Sequence, residues 1–140
     1  AGRSSAQMTA NANWTFTDGW ILMSVYLTHG EVGAALDEII GAADAMNHAI
    51  PTTTELSGSL TRLARCGVVT QVDNRIRIAQ NYLPMIAKAN QGRGGLFSTP
   101  DKGKKWLSRM TFELNDAACV SITEQQSGEA YNQYRKRLRQ

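Results

Sequence analysis

Apolar residues recur along most of this chain at helical spacing, with one short interval of alternation in the middle. Ile21, Leu22, Val25 and Tyr26 fall at i, i+1, i+4 and i+5, which puts them on one stripe of a helix. Thr17 or Asp18 can open that helix by accepting hydrogen bonds from its first free N–H groups. Gly30 supplies a stop. A second helix is predicted over Ala34 to Asn47, where Leu36, Ile39, Ile40, Ala43 and Met46 share one face. Asp37, Glu38 and Asp44 lie off that face. Pro51 disfavours helical geometry at Ile50 and separates this helix from the next.

The third helix carries the sharpest local signal. Thr52-Thr53-Thr54-Glu55 fits a capping box, in which the Thr52 hydroxyl takes the Glu55 N–H and the Glu55 carboxylate takes the Thr52 N–H. Leu56, Leu60, Leu63 and Ala64 form its apolar stripe, and Gly67 suits a left-handed C-terminal turn. The rest of its surface holds Thr53, Thr54, Ser57, Gly58, Thr61, Arg62 and Arg65. The period then changes to two. Val68 to Val72 and Arg75 to Ile78 are rich in β-branched residues and flank Asp73-Asn74, the pattern of a hairpin. Arg75 and Arg77 share one side of it, opposite Ile76 and Ile78.

Beyond the hairpin, Gln80 to Ala89 reads as a helix with Tyr82, Leu83, Ile86 and Ala87 on one side and Pro84 near its start. Asn90 to Gly95 is a glycine-rich basic loop. Thr99-Pro100 opens a helix running to about Met110, with Trp106, Leu107 and Met110 as its apolar face. Phe112 and Leu114, then Val120 and Ile122, alternate as strands do, over a short span. Thr123 can cap a last helix to Leu138, whose stripe is Ala130, Tyr131, Tyr134 and Leu138. The expected organisation is a flexible arm over 1–13, a domain over 14–80, and a helical extension over 81–140 packed on the same domain.

Length and composition narrow the class. The chain has 140 residues and 15.3 kDa, with 42% hydrophobic residues and a mean hydropathy of −0.33. That is a globular composition, and no stretch approaches the ~20 apolar residues of a membrane span. No apolar segment follows Arg3 in the first thirteen residues, so no signal peptide is expected and the cytoplasm is the expected compartment. Cys66 and Cys119 are expected to be buried and reduced, with a single bridge between them left open. With His29 and His48 they make no zinc-binding spacing, so neither metal nor cofactor is expected.

The net charge of +3 is unevenly spread. Residues 1–50 hold one base and five acids, residues 51–110 ten bases and three acids, and residues 111–140 four of each. A basic middle segment is the footprint of a nucleic-acid binder or, equally, of a solvated basic surface.

The run from Pro51 to Val69, PTTTELSGSLTRLARCGVV, resembles the recognition helix and first wing strand of bacterial winged helix-turn-helix regulators. The resemblance covers Ala34 to Ile78, with the helix near 18–29 in support. It implies a mainly α fold with a small β-hairpin: a winged helix-turn-helix core plus the C-terminal helical extension. It further implies double-stranded DNA as partner, with the third helix in the major groove and the wing on the backbone. Carried to the matching positions, Thr53, Thr54, Ser57, Thr61 and Arg62 face DNA, Arg65 reaches the backbone, and Arg75 and Arg77 sit on the wing. The Asp73-Asn74 tip departs from strong DNA-binding wings, because Asp73 repels phosphate unless it turns away.

Enzyme motifs are missing. Gly92-Arg93-Gly94-Gly95 does not match a dinucleotide fingerprint, and Gly103-Lys104-Lys105 lacks the rest of a phosphate loop and reads as a charged helix face. His29 and His48 fall at helix ends, and Asp37 and Glu38 are adjacent rather than opposed. No catalytic residue is therefore expected. The last helix is either a core-packing helix with a basic end or a homodimer helix, with Trp106, Tyr131 and Tyr134 as candidate interface aromatics. The expected function is a DNA-binding transcriptional regulator. The alternative is a winged-helix protein–protein interaction module without DNA binding.

Overall fold

The computed structural model describes residues 9–10 and 13–139. Helix α1 (Phe16–Thr28) is the axis of the molecule, and every side chain from Asp18 to Val25 is buried. The expected stripe is thus only part of what it buries. The reason is that three helices surround it: α2 (Leu36–Asn47), α3 (Thr53–Arg65) and α5 (Thr99–Arg109). Asp18 points to α3, Gly19 to α5 and Trp20 to α2, in directions about 100° apart at 3.6 residues per turn. The Trp20 indole N–H donates to the Ala43 carbonyl at 2.9 Å.

The start of α1 differs from expectation. Thr15 is the cap: its hydroxyl accepts the Asp18 N–H at 3.2 Å, and the Asp18 carboxylate accepts the Thr15 N–H at 3.0 Å. Asp18 therefore belongs inside the first turn, and its second oxygen is free to reach α3. The crossing of α1 and α5 depends on two glycines. A Cβ on Gly19 would sit 2.4 Å from the Pro100 carbonyl oxygen, and one on Gly103 would sit 2.6 Å from Met23 Cγ.

A three-stranded antiparallel sheet in the order β2-β4-β3 closes one end. Strands β3 (Val69–Val72) and β4 (Arg75–Ile78) form the expected hairpin, with Asp73 in the left-handed region at φ 57°. Strand β2 (Ala34–Ala35) adds to the other edge of β4, pairing Ala34 with Ile76. Its two alanines were expected to be helical, and α2 starts only at Leu36, where the Glu38 carboxylate accepts the Ala35 N–H at 2.8 Å. The capping box of α3 forms as expected between Thr52 and Glu55. Gly67 takes φ 76° before β3.

The second half of the chain packs onto this frame. Helix α4 (Leu83–Ala89) begins three residues later than expected and holds Pro84 in its first turn. Phe112 of β5 (Phe112–Glu113) collects three aromatic rings edge-on: Trp14 at 6.1 Å, Tyr82 at 5.7 Å and Trp106 at 6.0 Å between centroids. Such pairs add about 0.5–1.5 kcal/mol each beyond area burial. Trp106 is consequently core, as its place on the apolar face of its helix predicts, and not exposed as an interface aromatic. Strand β5 also pairs with β1 (Thr9–Ala10), so these two residues of the expected arm are in a sheet; residues 1–8 and 11–12 lie outside the described residues.

Helix α6 (Glu124–Leu138), capped by Thr123, lies on α2. Ala130 is buried, the Tyr134 hydroxyl donates to Asp44 Oδ2 at 2.7 Å, and Arg137 pairs with Asp37. Its apolar stripe stops short of Leu138, which is 64% exposed. Both cysteines are free, but only Cys66 is buried; Cys119 is exposed, contrary to expectation. No helix among the described residues is long and apolar enough to cross a membrane.

Candidate nucleic-acid interface

The outward face of α3 and the β3–β4 hairpin hold the eight residues singled out from the sequence. Their fates diverge. Thr54 is exposed and Thr53 half-buried, both on the first turn of α3, and neither side chain has a hydrogen-bond partner among the described residues. Arg77 is exposed on the hairpin and likewise free at its guanidinium, while its stem packs over Gly33, where a Cβ would meet Arg77 Cγ at 2.8 Å. These three remain available to a partner.

The other five are committed within the chain. Arg62 reaches across to the buried Asp18, with Nη2 at 2.5 Å and Nε at 3.0 Å from Oδ1. The Ser59 hydroxyl donates to the same oxygen at 2.8 Å. Burial opposes ionisation of Asp18, but the Arg62 guanidinium, the Thr15 N–H and the Ser59 hydroxyl outweigh it and hold the pKa below the usual carboxylate value. The nearby Cys66 thiol is pushed up to about 11, by burial first and then by the Asp18 charge. Arg75 donates to the Gly33 carbonyl at 2.8 Å and faces Glu38 at 3.5 Å, joining the hairpin to the start of α2.

The remaining three hold an extended stretch of chain. Residues 118–122 run along the outward face of α3 without a strand ladder. Thr61 Oγ1 accepts the Val120 N–H at 3.0 Å and donates to the Val120 carbonyl at 3.1 Å. The Ser57 hydroxyl donates to the Ile122 carbonyl at 3.2 Å, and Arg65 Nε donates to the Ala118 carbonyl at 3.1 Å. Ser57, Thr61 and Arg65 are spaced i, i+4, i+8, so one line of α3 side chains satisfies the backbone that a sheet would otherwise satisfy. The Val120 side chain is 1% exposed. This strap was not visible in the sequence: its partners lie about sixty positions away, and its own alternation covers too few residues.

What stays open is a groove between the strap and the free edge of α3. Thr54, Gly58 and Arg62 form one wall, and Cys119 to Ile122 the other. A second cleft of about 330 Å³ lies between the hairpin, the start of α2 and α6, and presents the amides of Gln71, Asn74, Gln126 and Gln133. Among the described residues no three His, Cys, Asp or Glu side chains gather as a metal site. No family model, curated protein or solved structure matches this chain.

Proposed function

We propose that this chain is a winged-helix DNA-binding protein that acts as a transcriptional regulator. The observation that supports the reading is the element order α1, β2, α2, α3, β3, β4 with strands paired β2-β4-β3. On this reading a duplex is gripped by both the capped helix and the two-stranded hairpin. In this reading the first turn of α3 enters the major groove. Thr53 and Thr54 offer hydroxyls to base edges or phosphates, and Arg77 neutralises backbone phosphate from the hairpin. In this reading Ser57, Thr61, Arg62, Arg65 and Arg75 are held by bonds within the chain, which narrows the direct contacts from the eight expected residues to three. The reading assigns no catalytic step and no cofactor. Occupancy of a site near a promoter would block or recruit polymerase.

A second reading has its own support. The side chains of Ser57, Thr61 and Arg65 already grip an extended backbone. A face built for that is suited to a peptide, as in a winged-helix interaction module without DNA binding. A mobility shift with a pool of random duplexes separates the two. The intact chain is expected to bind, and the Thr53→Ala/Thr54→Ala/Arg77→Ala variant to lose most of that binding while melting at the same temperature. Equal binding by the folded variant would remove α3 and the hairpin from the duplex.

A further inference from the structure

The positive charge of the middle segment does not sit chiefly on α3 and the hairpin. Of its ten bases, six lie on α4, on the loop after it and on α5: Lys88, Arg93, Lys102, Lys104, Lys105 and Arg109. Asp101 is the one acid between Lys88 and Arg109. None of the six forms an ion pair among the described residues. By contrast Arg62 and Arg75, on α3 and the hairpin, are both paired with carboxylates.

Helix geometry gathers these bases. The inner face of α5 buries Gly103, Trp106 and Leu107 against α1 and the aromatic cluster. At about 100° per residue the remaining arc runs through Lys104, Ser108, Asp101, Lys105, Arg109 and Lys102. Four bases and one acid thus share one half of the helix. Lys102 also donates to the carbonyls of Asn90 at 3.3 Å and Gly92 at 3.0 Å. Those bonds hold the Gln91–Gly95 loop, with exposed Arg93, beside the same arc. This surface is on the Gly19 side of α1, whereas α3 is on the Asp18 side.

We infer that the outer face of α5, with the Lys88 end of α4 and the Arg93 loop, is a second surface that binds the phosphate backbone of nucleic acid. It takes phosphate oxygens, to which its ammonium and guanidinium groups are suited, rather than base edges. Charge complementarity identifies the partner, and the absence of an apolar arc argues for nucleic acid over a lipid surface. A helix lying in a membrane interface needs an outward apolar face; on α5 the apolar residues are turned inward. Met85 on α4 and Leu96 and Phe97 before α5 are exposed nearby, but none lies on the outer arc of α5. The inference stands apart from the reading of α3, because it would hold for a chain whose α3 never met DNA.

The test is the salt dependence of binding by the full chain to a random-sequence duplex, followed by fluorescence anisotropy. Lys105→Ala/Arg109→Ala removes two outward charges that form no ion pair among the described residues. Arg135→Ala/Lys136→Ala on α6 removes the same net charge elsewhere. The first variant is expected to bind every sequence more weakly and to lower the slope of log K against log salt by about two, one for each lost phosphate contact. The α6 variant is expected to keep the slope of the intact chain. Equal losses in both variants, or none in a folded Lys105→Ala/Arg109→Ala protein, would overturn the inference. So would binding to phosphatidylserine vesicles that the α5 variant abolishes while duplex binding survives. Loss in the α5 variant with full binding by the Thr53/Thr54/Arg77 variant would sink the α3 reading and leave this one standing; the converse would do the reverse.

Discussion

Arg62 is bonded to Asp18, and that bond changes what the arginine is for. Asp18 is fully buried at the first turn of α1, and its Oδ1 receives both Arg62, at 2.5 Å, and Ser59. The Arg62 side chain remains about half exposed, so solvent screens part of the attraction. Replacing Arg62 by Ala leaves a buried carboxylate short of its strongest donor, and should cost about 1–3 kcal/mol in denaturant unfolding. Loss of DNA binding in that variant would therefore not mark Arg62 as a DNA contact.

The same pair sets an acid limit. The folded pKa of Asp18 is below its unfolded value, so its contribution to stability is complete above the unfolded carboxylate pKa of about 3.9 and is lost as pH falls through the folded value. Melting temperature against pH should drop more steeply below about 4 in the natural chain than in Asp18→Asn. Parallel acid limbs would contradict the arrangement.

Tyr134 sets a limit at the other end. Its hydrogen bond to Asp44, with burial second, raises the phenol to about 12. A raised folded pKa gives stability that is whole below the unfolded value of about 10 and fades as pH rises towards 12. Tyr134→Phe should remove that part of the alkaline slope. The shift is checked by the phenolate absorbance of the folded protein: the step that Tyr134→Phe removes should lie near pH 12.

Thr61 holds both polar groups of Val120. Thr61→Val keeps the shape and removes both bonds, at about 1–2 kcal/mol. The loss should concentrate in the strap: amide exchange at residues 118–122 should speed up while α1 and α3 stay protected. If exchange rises uniformly, the strap unfolds only with the whole protein.

Gly103 lets α5 lie on α1. A Cβ there would meet Met23 Cγ at 2.6 Å and the Gly19 carbonyl oxygen at 2.9 Å. Gly103→Ala should destabilise by about 1–3 kcal/mol despite the better helix propensity of alanine. A stabilised variant would show that the two helices do not approach so closely.

Much of this architecture was legible in the sequence where the signal is local. Thr52 with Glu55, Thr123 with Gln126, and Asp73-Asn74 between β-branched runs each specify their structure within a few residues. The start of α1 was misread because Thr15, Thr17 and Asp18 are all able caps, and only the bond from Asp18 back to Thr15 decides among them. Strand β2 was invisible because two alanines have no strand propensity; pairing with β4 makes the strand. The candidate site was legible in part: periodicity reports which side chains of α3 point outward and not what lies over them. Asp18, the strap and the aromatic ring around Phe112 are all long-range contacts. The first two tie Arg62 and Arg65 to the chain itself.

The proposed function is binding of duplex DNA. Titration of the intact chain against a pool of random duplexes at two salt concentrations decides it. Binding is expected at low salt and should weaken steeply at the higher one, as phosphate neutralisation requires. No binding at low salt by a folded sample would contradict it and leave the interaction-module reading in its place.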